Sequence, residues 1–117
     1  MKDPVEYLKH INDECNFILS VITKDLSWEN FINDEVLKRA SVRSLEIIGE
    51  ATKKISADVK VKWNTIKWKN MAGMRDRLIH DYMGINYLIV WDVVKNKIPV
   101  LSEQIKEVIQ LELKTNK

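Results

Sequence analysis

Residues 37–55, LKRASVRSLEIIGEATKKI, bring Leu37, Ala40, Leu45, Ile48, Ala51 and Ile55 round to one side of an α-helix, mostly at steps of three and four. Ile47 and Gly49 widen that apolar face, as expected of a helix touched on more than one side. The pattern predicts a long helix over about residues 34–56, opened by Asn33 or Asp34 as its cap.

Upstream, Asp3-Pro4-Val5-Glu6 reads as a helix start, with Asp3 as cap and Glu6 closing a capping box. Leu8, Ile11, Cys15, Ile18 and Ile22 then share one side of a helix over about residues 4–23. Ser27-Trp28-Glu29 looks like a second cap opening a short turn. Downstream, residues 57–67 lose periodicity and read as a connection. Near Trp68 a third helix begins, carrying Met71, Met74 and Leu78 and ending by Gly84, which suits a left-handed cap. Asn86 can cap a fourth helix bearing Tyr87, Val90, Trp91 and Val94, and Pro99 opens or kinks a last one with Leu101, Ile105 and Val108. No period-two strand and no internal repeat appears. The expected architecture is all-α, a single domain over 1–117 forming an antiparallel bundle of four to five helices.

Composition agrees. A chain of 117 residues, 45% apolar and 31% charged, is an ordinary globular domain with one core. Three Gly and two Pro leave little for turn-rich β architecture. The net charge of +2 says almost nothing about a partner, so any nucleic-acid argument must come from where charges sit. Cys15 is the only cysteine, which excludes an intramolecular disulfide and a cysteine-ligated zinc site, and it falls on the apolar stripe of the first helix. His10 and His80 are the only imidazoles and form no helical ligand pair, so neither a metal nor another cofactor is expected. The N-terminus lacks a signal peptide's apolar core and no run approaches membrane length, so the expectation is a cytoplasmic protein.

The chemistry-bearing stretch is Met74-Arg75-Asp76-Arg77-Leu78-Ile79-His80-Asp81-Tyr82, which sets Arg, His and Tyr in the pattern R-x-x-x-x-H-x-Y. In an ideal helix Arg75 and Tyr82, seven apart, share a face, while His80 lies well round the cylinder close to the frayed end. These residue types suit phosphodiester cleavage in RNA. Arg75 offers a planar, permanent cation for a phosphate and for the added charge of a pentacoordinate transition state. His80 can take a proton from a ribose 2′-hydroxyl or give one to the leaving 5′-oxygen. Tyr82 can donate to the phosphate or hold His80. One motif His per chain favours a homodimer with the site at its interface, where two chains supply both acid and base. Each residue taken singly has an ordinary alternative: an arginine paired with Asp76 or Asp81, a histidine capping carbonyls, a tyrosine packed at the surface.

The stretch is similar to the R-x-x-x-x-H-x-Y signature of HEPN ribonucleases, and the wider chain resembles their HepT-like toxin branch. The shared pieces are Arg43-Ser44-Leu45-Glu46-Ile47-Ile48-Gly49-Glu50-Ala51, Trp68 a turn before Met74-Arg75, Leu78-Ile79-His80-Asp81-Tyr82, Val90-Trp91 and Ile98-Pro99. They cover nearly the whole chain in order; Lys67 stands where relatives often have Pro. The resemblance implies a dimeric, all-helical HEPN bundle that cleaves RNA without metal, as the toxin of a type VII toxin–antitoxin pair. It implies Arg75 and His80 as catalytic residues. It further implies that a minimal nucleotidyltransferase antitoxin (MntA) transfers AMP from ATP to Tyr82, setting a phosphate beside Arg75 and blocking the cleft.

Two further groups belong with this motif. Glu46 and Glu50 share a face of the long helix beside Gly49, and a carboxylate there can orient Arg75 or His80; Glu50, in the Gly-Glu-Ala segment, is the expected partner, with Asp76 and Asp81 also close in sequence. The alternative is a plain surface charge. Lys53, Lys54, Lys60, Lys62, Lys67 and Lys69 face only Asp58 over residues 53–70, a basic stretch leading into the motif. Those lysines are RNA-contact candidates, and Trp63 and Trp68 among them can stack on bases, although Trp68 is the better core anchor. Two rival readings compete with the nuclease: a non-catalytic helical module that binds and regulates a nucleotidyltransferase, and a simple nucleic-acid-binding domain without turnover.

Overall fold

The computed structural model describes residues 4–80 and 84–115, with side chains for 5–78 and 84–114. The chain is almost wholly helical. Helix α1 (Pro4–Val21) and helix α3 (Glu35–Lys54) are the first two long elements, with the short α2 (Trp28–Ile32) between them. The starts of α2 and α3 are set by side-chain caps. Ser27 accepts from the amide of Asn30 and Asp34 from that of Leu37, which satisfies N–H groups that the first turn leaves without partners. The α1 stripe of Leu8, Ile11, Cys15, Ile18 and Ile22 is buried throughout and packs against α3 and α8. Asp3, the expected cap of α1, lies outside the described residues.

Residues 57–67 are not a plain connection. They contain α4 (Ala57–Lys62), capped by Ser56, which accepts from the amide of Val59. Only Val59 of this helix is buried, and a six-residue helix with one side chain in the core leaves too little periodicity to read.

The motif segment differs most from expectation. In place of one helix reaching Gly84 there are two short ones, α5 (Trp68–Ala72) and α6 (Met74–Leu78), divided at Gly73. Helix α6 stops at Leu78 because the Leu78 carbonyl accepts from the amide of Asn86, at 2.8 Å, and the chain turns extended. Ile79–His80 (β1) and Gly84–Ile85 (β2) then form a two-residue antiparallel ladder, with Ile79 opposite Ile85 and His80 opposite Gly84. Gly84 is left-handed, with φ +89°, but it serves this ladder and not a helix cap.

Asn86 caps the next helix as expected, its Oδ1 accepting from the amides of Leu88 and Ile89. Helix α7 (Tyr87–Asp92) runs without a non-helical residue through a π turn (Val93–Lys97) into α8 (Ile98–Thr115). The expected break at Pro99 is thus a change of winding. Pro99 has no N–H for the carbonyl four residues back and its ring crowds that carbonyl, and the amide of Ile98 just before it bonds to Val93, five residues back.

The core lies where α1, α3, α5–α6 and α7–α8 meet, built from side chains such as Leu45, Ile48, Met71, Met74, Leu78, Val94 and Ile105. Phe31 and Trp28 of α2 pack against Trp91 of α7, the first tilted at 5.1 Å between ring centroids and the second edge-on at 6.1 Å. Among the described residues, no helix is long and apolar enough to cross a membrane.

Candidate active site

Gly49 is what brings the motif to α3. A Cβ there would stand 3.1 Å from the carbonyl oxygen of Met71 and 3.8 Å from Cβ of Met74. Glycine lets α3 lie this close without strain; a Cβ would press on the backbone of α5 and the start of α6. Met74 and Leu78 are buried on the inner side of α6, which turns Arg75, Asp76 and Arg77 outward.

Arg75 is held from α3. Its Nε lies 3.9 Å from Oε2 of Glu46, with the arginine side chain 63% exposed and the glutamate 27%. The guanidinium thus has a carboxylate beside it, at ion-pair and not hydrogen-bond distance, and remains open to solvent, where it can receive a phosphate. The carboxylate that reaches Arg75 is Glu46, and the expected partner, Glu50, pairs instead with Lys53 at 3.7 Å. The helical wheel contained the signal: Glu46 lies about 60° round from Gly49 and Glu50 about 100°. The residue nearer the close-approach stripe is the one that meets α6.

His80 follows two residues after α6, in β1, so the ideal-helix projection does not apply to it; its side chain is outside the described set. Asp81 and Tyr82 lie outside the described residues. Asp76 is exposed on α6. The ladder opposite His80 ends at Asn86, whose amide closes back onto Leu78 and whose side chain caps α7, tying the motif backbone to that helix.

Two of the six lysines are paired with carboxylates: Lys53 with Glu50, and Lys62 with Glu112 of α8, 3.1 Å away and nearly buried. Lys54, Lys67 and Lys69 are exposed and Lys60 half-buried, and Lys67 lines a cleft beside α6. Trp68 is a core residue whose Nε1 donates to the Trp63 carbonyl at 3.1 Å. Trp63 packs half-buried on the core, with Nζ of Lys62 5.3 Å from its ring centre. Cys15 is buried, and burial pushes its thiol up to about 12, with Lys106 opposing and Glu14 adding to the shift. Among the described residues no cluster of three or more His, Cys, Asp or Glu side chains could hold a metal ion.

An all-helical bundle with an anchored arginine at the head of R-x-x-x-x-H-x-Y defines a HEPN ribonuclease, and comparison with known proteins assigns the branch. The ribonuclease HepT-like family matches residues 6–108, and the chain belongs to that family. A candidate RNase of Caldanaerobacter subterraneus subsp. tengcongensis, TTE0752, is 49% identical over 96% of this chain and 99% of its own length. A candidate RNase of Methanocaldococcus jannaschii, MJ0125, is 43% identical over 90% of this chain and 86% of its own. A protein of Thermococcus cleftensis, named as the probable ribonuclease HepT, is 41% identical over 82% of this chain and 86% of its own. No solved structure gives a significant match.

Proposed function

We propose that this chain is a metal-independent endoribonuclease, the cytoplasmic toxin of a type VII toxin–antitoxin pair, working as a homodimer with the R-x-x-x-x-H-x-Y motif at the interface. The observation that carries this reading is Arg75, anchored by Glu46 at 3.9 Å and open to solvent at the head of the motif in a chain of the HepT-like family.

The substrate's 2′-hydroxyl attacks the adjacent phosphorus. A bond forms from the 2′-oxygen and the bond to the 5′-oxygen breaks, leaving a 2′,3′-cyclic phosphate and a free 5′-hydroxyl. Arg75 stabilises the extra negative charge of the pentacoordinate state. His80 of one protomer removes the 2′ proton, and His80 of the partner protonates the leaving oxygen. Tyr82 positions the phosphate, and a minimal nucleotidyltransferase antitoxin of the MntA kind silences the toxin there. The tyrosine oxygen attacks the α-phosphorus of ATP, pyrophosphate leaves, and the new AMP phosphate competes with RNA for Arg75.

Purified protein incubated with total RNA in EDTA tests the reading. Fragments with cyclic-phosphate ends support it, and His80→Ala should lower the rate by about 10²–10⁴-fold while leaving the fold intact. Intact RNA together with tight binding of a nucleotidyltransferase would identify the chain as a non-catalytic module. Mass spectrometry of protein co-expressed with that partner tests Tyr82: added AMP that vanishes in Tyr82→Phe supports the modification, and AMP retained in that variant overturns it.

A further inference from the structure

Beside α6, on the side away from Glu46, the chain forms a cleft of about 360 Å³ between α5–α6 and the α7–α8 helix. Lys67, Arg77 and Lys97 line it. None of the three has a carboxylate within ion-pairing distance among the described residues. The cleft's one carboxylate, Asp92, accepts from Nδ2 of Asn96 at 2.8 Å. Three such cations against one hydrogen-bonded carboxylate make a site for an anion carrying more than one charge.

Its lining is partly apolar, with Met71, Met74 and Leu101, and Asn70 and Gln104 line it as well. The π turn contributes Asn96 and Lys97. Such turns are enriched at functional sites, and this one follows from Pro99. Cations together with apolar side chains and amides in one cleft match a nucleotide, with its phosphates on the cations and its base on the apolar side chains.

Arg77 joins this cleft to the motif. It is two residues beyond Arg75, about 200° round the same short helix, so the two guanidinium groups stand on opposite flanks of α6. A single strand crossing α6 meets Arg75 on one flank and the cleft on the other, passing the exposed Asp76 between them. We infer that this cleft is a subsite for the RNA strand, holding the phosphates next to the scissile link on Lys67, Arg77 and Lys97 and seating one base over Met71 and Met74. The inference rests on the ribonuclease reading for its substrate, but it assigns residues outside the R-x-x-x-x-H-x-Y triple.

Binding of a fluorescent single-stranded oligoribonucleotide to the full chain, across a salt series, tests it. Arg77→Ala and the double variant Lys67→Ala/Lys97→Ala should each weaken binding about tenfold or more at low salt. For every phosphate left without its cation, the dependence of log K on log salt should flatten by about 0.7. Arg77→Lys should keep that slope, and Lys38→Ala, outside the cleft, should bind as the unaltered chain does. Thermal melts that match the unaltered chain show that the cleft variants are folded. Unchanged binding and slope in the cleft variants, or no RNA binding by the unaltered chain, overturns the subsite. RNA bound through the cleft but never cut supports the subsite and removes the ribonuclease reading; RNA cut at full rate and bound normally by the cleft variants does the reverse.

Discussion

Glu46 on α3 and Arg75 on α6 face each other across 3.9 Å, which makes the long helix a support for the motif arginine. An ion pair this exposed contributes at most about 1 kcal/mol to stability. Glu46→Gln should therefore leave the melting temperature nearly unchanged. Without its anchor the guanidinium wanders, and misplacement on this scale lowers turnover by about ten- to a hundredfold. Steady-state cleavage of a short RNA measures this, and an unchanged rate would remove Glu46 as a positioning residue.

Gly49→Ala should destabilise the fold. In a free helix the change gains about 1 kcal/mol. Here the new methyl meets a backbone carbonyl at 3.1 Å, and a backbone cannot step aside as a flexible side chain can. Forcing α5–α6 away from α3 costs about 1–3 kcal/mol and also separates Glu46 from Arg75. Chemical denaturation should show a lower midpoint, with cleavage falling in parallel; a higher midpoint would show that the helices part freely.

Lys95 ties the loop after α1 to the π turn. Its Nζ donates to the carbonyls of Thr23 and Lys24 at 3.1 Å and of Leu26 at 3.4 Å, and lies 5.3 Å from the centre of the Trp91 ring. Lys95→Met keeps the aliphatic stem but leaves those carbonyls to solvent, a destabilisation of about 1–3 kcal/mol. Thermal melts read that change, and amide exchange in residues 23–26 should accelerate ahead of the core.

Cys15 should resist thiol reagents until the chain unfolds, because its thiol is pushed up to about 12 and buried against α3 and α8. In the unfolded chain the thiol ionises near 9.0. The unfolded state thus loses its proton first, so the contribution of Cys15 is complete below pH 9.0 and declines as pH rises through the interval up to about 12. Labelling that tracks global unfolding checks this; fast labelling of folded protein would contradict it.

Much of this molecule is legible residue by residue. The stripe of Leu8, Ile11, Cys15, Ile18 and Ile22 announces α1, and Ser27, Asp34 and Asn86 occupy their helix starts because a cap is a local bond between a side chain and an amide two or three residues on. Gly49 announces a close approach, and Trp68 a core anchor. Local periodicity and local hydrogen bonding act within one turn of the chain, so these features determine themselves wherever the rest of the chain lies.

Other features depend on partners far away in sequence. Helix α6 ends at Leu78 because Asn86 takes the carbonyl, and the ladder at His80 exists only with Gly84 and Ile85 opposite. Glu46 and Glu50 stand only about 40° apart round α3, so which of them meets Arg75 is decided once α6 lies against Gly49. Lys62 turns to Glu112, while Lys67 gathers with Arg77 and Lys97 around one cleft, although 30 positions separate the first and last of these three. Spacing determined the long helices and their caps, and the R-x-x-x-x-H-x-Y pattern carried the resemblance to HEPN ribonucleases; only packing, which trades many similar interactions at once, decided where α6 gives way to a strand, which carboxylate lies beside Arg75 and which cations gather near it.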